Sequence, residues 1–324
     1  YLPAVAAGDK IAAFAISEPD GGSDVAAMTT TANLDGNEYR LNGTKAWISN
    51  AGIADHYVLF ARTGEALGAK GISAFLVEAD TPGLTVSERI DVIAPHPLGN
   101  LTLRDCRIPT ANILGNPGEG FKVAMATLDG FRTTVGGASL GFARRAMDEA
   151  IDRSKNRTAF GQPISEFQLT QFTLGRMQMK LAGARAITYA AALAFDEDER
   201  AAAPLAAQAK LLACDVAVEV SQQGQLMHGG WGYAEEYPIS RYVVDASVLP
   251  IFEGVKPILE LKVIGRAVLA GCEALAGAPG SSAAPQVGLE NVDHGFDVLR
   301  PRHFPARVHS QHGCLLYTSD AADE

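Results

Sequence analysis

Several short runs hold residue types able to do chemistry, and their context accounts for most of them. Ser23 in Gly21-Gly22-Ser23-Asp24 invites reading as a nucleophile. The glycine two residues later that a strained elbow needs is absent, however, and no histidine partner is marked out, so a hydrolase triad is rejected. Gly136-Gly137-Ala138-Ser139-Leu140-Gly141 has the look of a dinucleotide turn. No strand precedes it and its flanks have helical period, so helix packing explains it better. Met125, Met147, Met177 and Met179 fall at helical spacing and read as core filler. The four cysteines, at 106, 214, 272 and 314, lack the paired spacing of a disulfide framework or a metal site, which fits a reducing compartment.

The elements around these runs divide the chain. Ile11 to Ser17, Val25 to Leu34, Glu38 to Leu41, Tyr57 to Ala61, Ile72 to Val77 and Leu101 to Leu103 read as strands, with Asp35-Gly36 as a hairpin turn. After Pro109 the period becomes helical. Leu140, Ala143, Met147, Ala150 and Ile151 share one face, as do Leu174, Met177, Leu181, Ala184 and Ala191. Two more helices are expected over Ala206 to Met227 and Ser247 to Ala270. The predicted fold is α+β: an antiparallel β-barrel or sandwich over 1–110, then an antiparallel four-helix bundle over 111–272.

Past residue 272 no periodic apolar face continues, and 273–324 reads as a non-native or disordered tail. His303, His309 and His312 beside Cys314 invite a metal reading there. Cys314-Leu-Leu-Tyr-Thr-Ser-Asp-Ala-Ala-Asp-Glu324 instead resembles the translated adapter of a transposase-made sequencing library, which makes 273–313 a frame-shifted read or a chimeric join.

The chain has 324 residues, 47% hydrophobic and 20% charged, enough for one large core or two ordinary ones. Its 37 acidic and 27 basic side chains give a net charge of -10, which argues against a duplex-binding surface and favours small-molecule chemistry. No apolar stretch is expected to reach the roughly 18 to 20 residues of a membrane span, and no signal-peptide layout opens the sequence.

Five segments in order carry more information than any motif alone. They are Phe14-Ala-Ile-Ser-Glu-Pro-Asp-Gly-Gly-Ser-Asp24, Leu41-Asn-Gly-Thr-Lys-Ala-Trp-Ile-Ser-Asn-Ala51, Arg157-Thr-Ala-Phe-Gly-Gln-Pro163, His228-Gly-Gly-Trp-Gly-Tyr233 and Ile251-Phe-Glu-Gly254. From Tyr1 to about Leu269 the sequence closely resembles the acyl-CoA dehydrogenases. The resemblance covers the family's β-domain and C-terminal helical domain, without the helical domain that opens the family's chain and helps wall the acyl pocket.

The resemblance implies an FAD enzyme that removes a proton and a hydride from adjacent carbons of an acyl-CoA thioester, giving a trans-2-enoyl-CoA. It makes Glu253 the base, with Phe252 and Gly254 as substrate contacts; helix capping is the plainer reading of this Glu. Relatives that keep the base on an earlier helix have it where Phe131 stands here, and Phe131 cannot accept a proton. By the same resemblance Ile16, Ser17, Trp47, Ile48 and Ser49 line the flavin ring, although Trp47 and Ile48 also suit a strand core. Ser23, Asp129 and Arg132 match CoA contacts. Arg157, Phe160, Gln168, Gly229 and Gly230 match the residues that reach a neighbouring subunit's flavin nucleotide, which implies a homotetramer built as a dimer of dimers.

Electron-transfer flavoprotein is the implied electron acceptor, in a bacterial cytoplasm or, for a eukaryote, the mitochondrial matrix. No metal, nucleic acid or membrane is implied. Three positions depart from the pattern: Leu226 where Gln is usual, with Gln225 one residue earlier, Val255 for Thr, and Val244 for Arg. A flavin oxidase or monooxygenase of the same fold and a non-catalytic flavin-binding relative are the alternatives, and the chain as written is expected to fold poorly alone if the opening domain is missing.

Overall fold

β-branched and aromatic residues in period two dictate the first part of the fold, with glycines at the turns. The computed structural model describes residues 1–270, apart from the side chains of 199 and 200. The tail assigned to 273–324, with Cys314 and its three histidines, and Cys272 lie outside the described residues.

A short helix α1 (Leu2–Ala7) leads into strands β1 (Ala12–Ala15), β2 (Thr31–Asp35), β3 (Glu38–Ser49), β4 (His56–Arg62), β5 (Ile72–Glu78), β6 (Leu84–Arg89), β7 (Leu98–Pro109) and β8 (Ile113–Leu114). They form one sheet in the order β6-β7-β3-β2-β4-β5-β8, with β1 also on β4. The Asp35-Gly36 turn closes the β2–β3 hairpin with Asp35 opposite Glu38, and Gly36 takes the φ of 65° that a side chain disfavours. Val25–Ala27 is a 3₁₀ turn, not the start of a strand.

The expectation of an antiparallel sheet is corrected: β1 and β2 both pair β4 in parallel. Hairpin signals speak only for strands adjacent in sequence, whereas these pairs are set by crossovers. The core here is built on Leu41, Ile48, Tyr57, Leu59, Phe75 and Leu101.

The helical part begins with α2 (Gly120–Asn156), whose first turn lies on β5. Phe60, Ile72, Ala74 and Ala124 form the core shared by sheet and helix. A two-stranded hairpin, β9 (Thr158–Ala159) and β10 (Gln162–Pro163), precedes α3 (Gln168–Glu197) and α4 (Glu199–His228). Ala143, Met147, Ala150, Met177, Leu181 and Ala184 pack with Ala213, Ala217 and Val220 into one core, on the faces that the helical period picks out.

Two short elements follow, α5 (Ile239–Ala246) and α6 (Lys256–Ile258), the latter passing into a π-helical segment, Leu259–Gly265. Four long helices were expected; among the described residues α2, α3 and α4 are long, and the fourth is helical from Lys256 to Ala270. The helix placed over Ser247 to Ala270 does not begin until Lys256, because Glu253 and Gly254 adopt left-handed φ values of 56° and 102° that break it.

The membrane expectation also needs correction. Ala201–Tyr233 is long and apolar enough, by length and composition, to cross a bilayer, but 56% of its most apolar window is buried inside the protein. That burial is what a core helix shows.

Candidate active site

The turn after α5 presents the acid. Glu253 sits at φ 56°, a conformation costing a side-chain-bearing residue about 1 kcal/mol, followed by Gly254 at φ 102°. The left-handed φ favours glycine at 254, and a Cβ there would also come within 2.9 Å of a Leu259 methyl, which would have to shift. The Glu253 carboxyl oxygen Oε2 is buried and accepts no hydrogen bond among the described residues. Burial pushes this carboxyl above its ordinary value; the charges of Arg132 and Lys210 pull it down and offset that only in part. A buried carboxylate with a free oxygen and a raised pKa is equipped to take a proton.

Two buried cations hold the turn. Arg132 on α2 is 6% exposed, ion-paired to Asp129, and donates from Nε to the Glu253 carbonyl at 3.3 Å. Lys210 on α4 is fully buried and donates to the carbonyls of Phe252 at 2.8 Å and Gly254 at 3.1 Å. Arg132 is thus engaged inside the protein, not displayed on an open helix face. Phe252 is partly exposed and its ring lies 5.9 Å from the Lys210 ammonium.

The expected ring-lining residues lie on two segments, one just past β1 and one at the end of β3. At a register shift in β3 between Lys45 and Ile48, Trp47 takes φ 59° and leaves its indole 61% exposed. Its backbone N–H donates to Asn100 Oδ1 at 3.1 Å. Trp47 is therefore not strand core, whereas Ile48, 1% exposed, is; Ile16, just past β1 and 8% exposed, also puts its side chain in the interior. Ser17 is half-buried and its carbonyl accepts from Ala46 N–H at 2.9 Å, tying the two segments together. Ser49 is exposed and its hydroxyl shares a 3.0 Å hydrogen bond with His96 Nε2. Ser23 is exposed just past the Glu18–Gly21 turn.

Beneath these segments lies an ion pair that sequence reasoning missed. Lys45 is fully buried, with Nζ 2.9 Å from Glu18 Oε1 and 3.2 Å from the Ile16 carbonyl. Glu18 also accepts from Thr29 N–H, Thr29 Oγ1 and Thr30 N–H.

A third cluster surrounds the α4 C-terminus. A cleft of about 660 Å³ is lined by Arg153, Arg157, Leu226, Gly229, Gly230 and Trp231, among others. A Cβ at Gly229 or Gly230 would meet nothing within 4 Å, so packing within this chain leaves their bare backbone open to an approaching group. Arg157 and Gln168 are exposed, and Phe160 is 97% exposed with φ 51°. Leu226 points outward while Gln225 turns in to donate to the Gly232 carbonyl at 3.1 Å, so Gln225 does not stand in for the missing Gln. Arg153, which the motif reading passed over, keeps a buried Nε without a hydrogen-bond partner among the described residues. These features suit the anionic nucleotide end of a flavin: cations, bare glycine backbone and an unspent donor.

Lys210 carries a signal, a lone charge in the apolar run Leu205 to Cys214 that demands a partner when buried, whereas Lys45 and Glu18 stand among polar residues and carry none. Which partners they find is a matter of the fold.

A mixed sheet joined to long helices thus carries a buried carboxyl in a strained turn and an arginine- and glycine-lined cleft. Comparison with known proteins makes this specific. The sequence model of the acyl-CoA dehydrogenase middle domain matches residues 13–106 and that of the acyl-CoA dehydrogenase C-terminal domain residues 118–269. The chain is 45% identical over 260 residues to human mitochondrial short-chain specific acyl-CoA dehydrogenase, covering 80% of this chain and 63% of that protein. It is 43% identical to the probable acyl-CoA dehydrogenase fadE25 of Mycobacterium bovis, covering 83% and 69%. Among solved structures, butyryl-CoA dehydrogenase from Megasphaera elsdenii matches with a TM-score of 0.80 at 38% identity, over 83% of this chain and 70% of that one. The chain belongs to the acyl-CoA dehydrogenase family, and it spans less than two thirds of the human relative's length.

Proposed function

We propose that the protein oxidises an acyl-CoA thioester to the trans-2-enoyl-CoA with FAD as hydride acceptor, and that Glu253 is the base. The observation that carries this reading is the free, buried Oε2 of Glu253 in its left-handed turn, with a carboxyl raised by burial. Removing an α proton from a thioester needs a base of more than ordinary carboxylate strength, which desolvation supplies. Bound FAD would supply the two-electron sink for the hydride leaving the β carbon.

The chain's own residues divide the remaining work. Trp47 offers an exposed aromatic face, and Ser17 and Ser49 offer hydroxyl donors where negative charge accumulates. Ile16 and Ile48 contribute backbone beneath them. Arg157, Phe160, Gln168, Gly229 and Gly230 hold the nucleotide of a neighbouring subunit, so the functional particle is a homotetramer. Ser23, Asp129, Arg132, Phe252 and Gly254 serve the CoA ester. Residues 1–110 are the flavin- and substrate-binding portion and 111–272 the portion bearing the base and the subunit contacts. Electrons pass to electron-transfer flavoprotein.

In the flavin-loaded enzyme, Glu253→Gln should bind acyl-CoA yet bleach the flavin at least a thousandfold more slowly than wild type, on the order expected for a lost general base. A wild-type bleaching rate would remove Glu253 from this role. Rapid reoxidation of the reduced flavin by oxygen would favour the oxidase alternative over electron transfer to a carrier protein.

A further inference from the structure

Three successive carbonyls of the Glu253 turn are held by buried cations. Lys210 takes those of Phe252 and Gly254, and Arg132 takes that of Glu253 between them. Carbonyls normally satisfied by a helix are here exposed by the left-handed φ values at 253 and 254, and a buried carbonyl left without a donor costs about 1–3 kcal/mol. Lys210 reaches the turn from 42 and 44 residues away, out of the apolar run Ala206 to Cys214. A fully buried lysine is costly unless it is used, and among the described residues its hydrogen bonds go to this turn.

We propose that Lys210 is a positioning residue for the base: it clamps the carbonyls on either side of Glu253, fixes the left-handed turn, and presents the carboxylate with one oxygen free. The proposal rests on Glu253 being the base. It assigns Lys210 no contact with substrate. Its charge also acts on the carboxylate, together with the other groups around the turn. These are Arg132 and Asp129 on α2, Asp215 and the Cys214 thiol on α4, and Lys256, which is ion-paired to Asp215. Arg132 and Lys210 both favour the ionised form of Glu253, so loss of Lys210 moves the carboxyl further upward.

The test separates the base from the hydride step. An acyl-CoA with sulfur at the β position offers an α proton and no β hydride, so solvent deuterium entering its α carbon reports the base alone. The rate, per folded flavin-loaded site, is followed against pH by NMR, beside kcat and KM for an ordinary acyl-CoA. For Lys210→Gln the acid limb of the exchange profile moves to higher pH. Its kcat falls at least tenfold and KM changes by less, because Lys210 holds the backbone of Phe252 and Gly254 and does not itself touch substrate. Lys210→Arg, which keeps the cation, returns the limb to its wild-type place. An unmoved limb with unchanged kcat in Lys210→Gln overturns the proposal.

If that variant does not fold, Lys210→Arg decides, because its planar head cannot reach both carbonyls in the same way and an unchanged kcat there also refutes the clamp. Glu253→Gln is run alongside. If it exchanges deuterium as the wild type does, the assignment of the base has failed, a result distinguishable from failure of the clamp alone.

Discussion

The buried Lys45–Glu18 pair makes a quantitative test of how the sheet supports the site, through the substitution Lys45→Met. Burial alone would raise the Glu18 carboxyl, but the Lys45 charge and the hydrogen bonds from Thr29, Thr30 and Lys45 outweigh it and bring it from 4.5 to about 2. That shift is worth roughly 3 kcal/mol at 1.36 kcal/mol per unit. Because the folded value is the depressed one, this stability is complete above about pH 4.5 and is lost as pH falls through about 2, where the folded state also takes the proton. Burial pulls Lys45 downward and Glu18 opposes it, so the intact pair nets little while a broken pair strands a carboxylate that is 6% exposed.

Lys45→Met should therefore cost about 3 to 5 kcal/mol at pH 7. It also deprives the Ile16 carbonyl of its donor beside Ser17. Urea denaturation followed by Trp47 and Trp231 fluorescence reads the loss. The stranded Glu18 takes a proton more readily, so the gap to wild type should narrow as pH is lowered from 7 toward 4.5. Adding Glu18→Gln, which keeps an acceptor for Thr29 and Thr30, should recover at least about 1 kcal/mol. A loss below about 1 kcal/mol, or a gap that ignores pH, would refute the ion-pair argument.

Two further outcomes are expected. A Cβ at Gly120 would come within 2.4 Å of the Ser73 backbone, so Gly120→Ala should push α2 off β5 and destabilise by about 1–3 kcal/mol, read as a lowered urea midpoint; an unchanged midpoint would mean the contact yields freely. Arg157 is exposed at the rim of the glycine-lined cleft, so Arg157→Ala should leave the melting temperature of flavin-free protein unchanged while flavin retention on dialysis falls about tenfold. Undiminished retention would move the nucleotide away from that cleft.

Much of this protein is determined by local sequence. The hairpin at Asp35-Gly36 follows from the φ that glycine permits, and the buried faces of α2 and α3 follow from the spacing of Ala143, Met147, Ala150 and of Met177, Leu181, Ala184. That an acid stands at 253 and a phenylalanine at 131 is likewise a matter of residue identity alone. Other features join residues far apart in the chain, and no local period encodes them. The parallel pairs of β1 and β2 with β4 depend on crossovers, and the late start of α6 depends on a turn that two distant cations hold. Ile48 and Trp47 are neighbours with opposite fates because a register shift in β3 turns one inward and one out. Lys45 reads as a surface lysine until Glu18, 27 residues earlier, is folded against it, and Lys210 until the Glu253 turn arrives. Residue type sets what a side chain can do, whereas burial and the partner across the fold set its protonation and its use.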